Sequence, residues 1–157
     1  MSLVSNVLTR RPLADDAAAI RRVHIAAGKG PDSLERDNPN VLKWLDSRTE
    51  EDYLDEMKRE QFVLAEAGGV VCGFGAINLG KKEITSVYVD PAYTRKGVAS
   101  ALVAEMERIA VDAGLAAVEL QAAGGALDFY HKQGFSYVTE PPAEGPKWAQ
   151  MRKQLSV

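Results

Sequence analysis

The sequence predicts one α/β chain folded around a mixed central sheet that contains an antiparallel meander. Three observations carry this. From Gln61 to Val89, apolar strand-like runs alternate with tight turns, "QFVLAEAGGVVCGFGAIN" and then "EITSVYV". At Asp90-Pro91 the register changes, and from Val98 the apolar residues recur at helical spacing. Beyond Gly114 the chain reads as strand, helix, strand and strand to Leu155.

The elements follow in order. Leu3 to Arg11 contains a short strand-like stretch ended by Pro12. Asp15-Asp16 is placed to cap a helix carrying Ile20, Val23 and Ile25 to Ala27 before Gly28. Gly28 to Asn40 reads as loop. Val41 to Asp46 and Thr49 to Lys58 read as two short helices, the second capped by Thr49 with acidic residues in its first turn. Phe62 to Ala65 and Val70 to Leu79 are strands joined by Gly68-Gly69, a hairpin signal between apolar runs. Glu83 to Val89 is the third strand. The next helix carries Val98, Leu102, Met106, Ile109 and Ala110 on one stripe and stops at Gly114. Then come a strand at Ala116 to Leu120, a helix at Ala126 to Gln133 stopped by Gly134, a strand-like Phe135 to Thr139 and, after a Pro-rich turn, Trp148 to Leu155. No repeat or linker divides the chain, so residues 1–157 are expected to form a single domain.

Composition narrows the function. With 46% hydrophobic and 26% charged residues the chain resembles an ordinary soluble protein. Nineteen Lys and Arg against 22 Asp and Glu give a net charge of -3, which argues against a nucleic-acid partner. No apolar run approaches the roughly 20 residues of a membrane span, and the N-terminus lacks a signal-peptide core, so no membrane partner and a cytoplasmic location are expected. The single Cys72 with His24 and His131 matches no zinc-ligand spacing, so no metal is expected.

Thr94-Arg95-Lys96-Gly97 joins a strand to a helix with two cations and a glycine. A helix start offers unpaired N–H groups and about half a positive charge, and therefore binds anions. Gly97, Ala99 and Ser100 let an anion approach the backbone, so phosphate is the natural guest. The plainer alternative is a solvated turn in which Gly97 only relieves strain. Neither G-x-x-x-x-G-K-[ST] nor G-x-G-x-x-G after a strand occurs.

The loop's position, after a meander strand and before a second strand-helix pair, resembles the GNAT family of acyl-CoA-dependent N-acetyltransferases. Thr94 to Ala99 matches that family's pyrophosphate loop, Q/R-x-x-G-x-G/A, with Thr94 in place of the usual Gln or Arg. "ALDFYHKQGF", Ala126 to Phe135, resembles its second landmark, an aromatic pair followed by G-F, with Gly124-Gly125 where an Asn often stands. The resemblance runs from Thr9 to Leu155. It implies a GNAT fold in which the Glu83 to Val89 strand splays from the Ala116 to Leu120 strand, with flanking helices, a cosubstrate core at about residues 83–135 and an acceptor side at about residues 28–60.

The resemblance further implies acetyl-CoA as cosubstrate, with its pantetheine arm paired to the backbone near Val87, Tyr88 and Val89. Its pyrophosphate would sit at Thr94, Arg95, Lys96, Gly97, Val98, Ala99 and Ser100. The activity implied is direct acetyl transfer to a primary amine. An alkylammonium with a pKa near ~10 must first lose a proton. Glu83, fourteen residues before Gly97 in "KEI", resembles the general base of histone-acetylating relatives; a strand-end glutamate in water is the alternative. A backbone N–H near Val87 would meet the oxyanion. Tyr130 matches the family tyrosine that protonates the departing thiolate, with Phe129 as the core member of the pair.

His131 is expected in solvent, His24 packed, and Cys72 buried and inert. Trp44, Tyr53 and Met57 could line an acceptor pocket or pack in the core. Asp32, Glu35, Asp37, Asp46, Glu50, Glu51, Asp52, Asp55, Glu56 and Glu60 give the acceptor side an acidic excess, which predicts a small cationic amine. Two alternatives stand beside this reading: a CoA-binding module without catalysis, and acylation of a protein N-terminus or lysine. A homodimer is compatible with either.

Overall fold

The computed structural model describes residues 6–31, 33, 36–145 and 147–155. Seven strands form one sheet in the order β1-β2-β3-β4-β5-β7-β6. They are β1 Leu8–Arg10, β2 Gln61–Ala67, β3 Val70–Asn78, β4 Glu83–Val89, β5 Ala117–Ala123, β6 Ser136–Tyr137 and β7 Trp148–Gln154. Every neighbouring pair is antiparallel except β4 with β5. The helices are α1 Ala17–Gly28, α2 Pro39–Ser47, α3 Glu50–Arg59, α4 Val98–Asp112 and α5 Ala126–Lys132.

Alternation along the strands builds two cores, one on each face of the sheet. Phe62, Leu64, Phe74 and Ala76 turn towards α1 and α3, where they pack with Ile20, Val23 and Tyr53. Val63, Ala65, Cys72 and Ile77 turn the other way, towards Val98, Leu102, Val103 and Met106 of α4. Each large apolar side chain so buried contributes about 1.5–3 kcal/mol before the entropy cost of ordering it. Helix α4 lies close to β3 because Gly73 and Gly75 face it: a Cβ at Gly75 would stand 2.6 Å from Met106 Cε.

Local chemistry sets the ends of these elements. Thr49 caps α3 by accepting from Asp52 N, and Asp52 returns a bond to Thr49 N. The Asn38 side chain caps α2 in the same sense. Asp16 departs from expectation. Its carboxylate accepts from Arg10 at 2.8 Å and from Leu13 N at 2.7 Å, so it ties β1 to the start of α1 without capping the helix. The first strand is confined to Leu8–Arg10, and the expected residues 3–5 lie outside those described. The expected strand at Phe135 to Thr139 shortens to Ser136–Tyr137, the residues in register with β7, and Val138 N adds one bond to Gln150 O at 2.8 Å. The α4 stripe gains Val103, while Ile109 is only partly buried.

Two irregularities position the site. Ala76 faces Ser86 and Ile77 faces Ile84, so Thr85 is an extra residue that bulges β4. Strand β4 then meets β5 at a single register pair, Glu83 with Glu119, while β5 continues with β7 through seven pairs. Beyond Glu83 the two central strands diverge.

Candidate functional site

After β4, Asp90 accepts from Ala92 N at 3.0 Å and starts a single helical turn, Pro91–Tyr93. Thr94 Oγ1 donates to Pro91 O at 3.1 Å. Arg95 and Gly97 then adopt left-handed conformations, with φ of 62° and 83°. The first bond of α4 runs from Ala101 N to Gly97 O at 3.0 Å, so the N–H groups of Val98, Ala99 and Ser100 have no acceptor within the helix. A Cβ at Gly97 would meet nothing within 4 Å, which leaves open space over the helix start. The side chains of Arg95 and Lys96 are exposed there.

A cleft of about 370 Å³ runs from this loop along β4. Val87, Val89, Thr94 and Ala99 form one wall, with Ala126, Phe129 and Tyr130 opposite. A second opening of about 200 Å³ fills the divergence of β4 and β5, between Ser86 to Tyr88 and Gln121 to Ala123, and Tyr130 lines it too. The arrangement fits an acyl-CoA. The helix start suits its pyrophosphate, the apolar cleft suits its arm, and β4 runs past Glu83 with no further register pair to β5. Among the described residues no cluster of His, Cys, Asp and Glu could hold a metal ion.

Tyr130 is 8% exposed, and burial, reinforced by the neighbouring Tyr88, pushes its phenol well above the ordinary tyrosine range. It is therefore a neutral O–H, able to donate a hydrogen bond into the cleft. The expected division of the aromatic pair is altered: Tyr130 is the more buried ring, and Phe129 is partly buried, its ring 4.9 Å from Tyr130 edge to face. Both line the cleft because α5 ends against it.

On the opposite side of β4, α1, α2 and α3 enclose a pocket of about 250 Å³. His24 forms part of its wall, with Nδ1 2.8 Å from Tyr53 Oη and its ring against Trp44, Phe74 and Tyr88. Burial first, and the Arg48 charge second, hold His24 down at about 4, so it is neutral near pH 7. Burial pushes the Tyr53 phenol up to about 12. Arg48 is 8% exposed, with its guanidinium 4.3 Å from the Tyr53 ring and 5.0 Å from the Trp44 ring. Glu60 lines the same pocket and accepts from Thr85 Oγ1 at 2.6 Å. Tyr88 lines all three cavities, so they converge on β4.

Several sequence-predicted residues fall elsewhere. Glu83 lies where β4 and β5 still pair, at the closed end of their divergence, and it lines none of the three cavities. His131 is exposed, with Nδ1 3.1 Å from Phe135 O. Cys72 is buried against Ala65 O, and burial raises its thiol. Met57 packs beside the core under α1 and α3, whereas Trp44 and Tyr53 line the pocket of about 250 Å³. Asp32 and Glu35 lie outside the described residues. Of the other carboxylates expected to make this side acidic, Glu56 and Glu60 line the pocket, and Arg48 and Arg59 line it with them. Sequence reading missed Arg48 as a site residue and counted Glu60 only as one of the carboxylates of the acidic side, since each looks like a solvated charge at a helix end.

The family model described as "Acetyltransferase (GNAT) family" matches residues 32–135. Solved structures of similar fold include the PaiA N-acetyltransferase of Thermoplasma acidophilum in complex with coenzyme A. It is 22% identical, with a TM-score of 0.77 over 95% of this chain and 99% of that one. The ribosomal-protein-S18-alanine N-acetyltransferase of Escherichia coli is 18% identical, with a TM-score of 0.71 over 96% and 95%. YncA of Salmonella typhimurium, solved with its cofactor acetyl-CoA, is 22% identical, with a TM-score of 0.67 over 97% and 95%. Comparison with curated protein sequences gave no match.

Proposed function

The chain belongs to the GNAT acetyltransferase family, and we propose that it moves the acetyl group of acetyl-CoA to the primary amine of a small molecule. The observation that carries this reading is the meeting of three cavities at Ser86 to Tyr88 of β4. One comes from the phosphate-binding helix start, one from the gap between β4 and β5, and one from the acceptor side. Complexes of relatives with coenzyme A and acetyl-CoA support the ligand class.

The chain's own groups divide the work. Backbone N–H groups at Gly97 to Ser100 hold the pyrophosphate, and the β4 backbone at Val87 to Val89, beyond its register pair with β5, orients the arm. A backbone N–H near Val87 meets the oxyanion that forms as the amine nitrogen bonds to the thioester carbon. As the C–S bond breaks, the Tyr130 hydroxyl gives its proton to the departing sulfur and takes one in return from the nitrogen of the collapsing intermediate, so that no buried phenolate remains. The acceptor ammonium must give up a proton before attack. Glu60, which lines the acceptor pocket, takes this role directly or through water; Glu83, the sequence's candidate, would need a longer water chain.

The test is thiol release from acetyl-CoA across a panel of amines, run beside calorimetric titration with CoA. Amine-dependent release is expected. Tight CoA binding with release no faster than hydrolysis for every amine would favour the non-catalytic module.

A further inference from the structure

Arg48 is the most deeply buried cation on the acceptor side, and its hydrogen bonding is incomplete. Nη2 donates to Glu56 Oε2, while the buried Nε–H has no acceptor among the described residues. Burying a guanidinium costs several kcal/mol unless its fork is satisfied. Glu60 does not supply the missing acceptor: the hydrogen bonds its two oxygens accept come from Thr85 Oγ1 and Asn78 Nδ2. Nor is Arg48 loosely held. Arg21 Nε donates to Arg48 O at 2.7 Å, Arg48 N donates to Leu45 O at 3.3 Å, and Trp44 and Tyr53 pack on the guanidinium. A planar cation fixed in this way, with one edge unused, suits a carboxylate.

The charges around the pocket agree. Within the pocket Arg48 and Arg59 offset Glu56 and Glu60, and His24 is neutral, while Asp52 and Asp55 line the adjoining groove. A polyamine inside the pocket itself would add positive charge beside two arginines. An amine that also bears a carboxylate adds none, and its anionic end meets the part of the Arg48 guanidinium that lines the pocket.

We propose that Arg48 is a specificity-determining residue of the acceptor pocket and selects an amine that also carries a carboxylate, such as an amino acid. The inference rests on the acetyl-transfer reading above. It replaces the cationic acceptor that the count of acidic residues predicts, because Arg48 and Arg59 share the pocket with the two carboxylates that line it.

The experiment compares kcat/KM within matched sets: leucine, leucinamide and isoamylamine; phenylalanine, phenylalaninamide and phenethylamine; lysine, lysinamide and cadaverine; with spermidine alongside. The carboxylate member of a set should exceed the member lacking it by roughly tenfold to a hundredfold, the range of a hydrogen bond to a charged group. Arg48→Lys keeps the charge and loses the fork, so the preference should shrink. Arg48→Gln should shrink it further, with a CoA titration reporting whether each variant is folded. Should a variant fail to fold, the wild-type ratios still decide. Equal or higher efficiency for the decarboxylated amines or spermidine overturns the Arg48 assignment and leaves acetyl transfer standing. No amine-dependent release from any set, with CoA still bound, overturns the transferase reading itself and this inference with it.

Discussion

His24 Nδ1 lies 2.8 Å from the Tyr53 hydroxyl, so a buried neutral imidazole joins α1 to α3 beneath the acceptor pocket. This has a sign for stability. The imidazole titrates at about 4 when folded and near its ordinary 6.5 when unfolded. Between these values the unfolded chain binds more protons, so stability should be complete above pH 6.5 and fall as pH drops towards 4. The loss is on the order of 2 kcal/mol, less than the full shift because the pocket admits some solvent. Urea melts from pH 7.5 to 4 should show it, and His24→Asn should flatten that limb. An unchanged slope in the variant would remove His24 as the cause.

At the helix start proposed to hold the pyrophosphate, Gly97→Asp puts a carboxylate and a Cβ in the approach at a left-handed φ of 83°. CoA affinity should fall by about tenfold to a hundredfold, since a like charge replaces an open approach to the N–H groups. Arg95→Ala should cost only a few-fold, because an exposed cation is screened by solvent. Calorimetry ranks the two, and the reverse order would mean that side chains rather than backbone hold the anion.

Tyr130→Phe keeps the ring and its packing and removes the proton. Turnover should drop by about tenfold to a thousandfold with CoA affinity little changed. Full turnover with chemistry rate-limiting would make Tyr130 a packing residue.

The two carboxylates can be separated by their pH profiles. Glu60→Gln should displace the acidic limb of kcat/KM, whereas Glu83→Gln, altered outside the three cavities, should leave it in position. The opposite pattern would return the base to Glu83.

Gly73→Ala tests how the scaffold holds the site. Its Cβ would stand 2.8 Å from Val98 Cγ1 and 3.1 Å from Tyr88 O, so α4 must move off the sheet at its first turn. A loss of about 1–3 kcal/mol is expected from overpacking, with weaker CoA binding as the helix start shifts. A variant as stable as wild type would show that α4 can move without penalty.

What the sequence determined by itself was local. The Gly68-Gly69 hairpin, the change of period at Asp90-Pro91 and the Gly97 helix start were legible because turns, periodicity and left-handed backbone are written in adjacent residues. The aromatic pair at Phe129-Tyr130 was legible as a landmark for the same reason. Which ring is buried more deeply was not, since that depends on how α5 meets the cleft. The acceptor side was decided by tertiary structure alone. Arg48, Tyr53, His24 and Glu60 come from different elements and meet only when α1, α2 and α3 pack over Phe74 and Tyr88. Counting carboxylates predicted an acidic wall; folding placed Glu56 and Glu60 in the pocket beside two arginines and Asp52 and Asp55 in the adjoining groove. Charge in a pocket follows the direction in which packing points each side chain, and a linear count of residues carries no such direction.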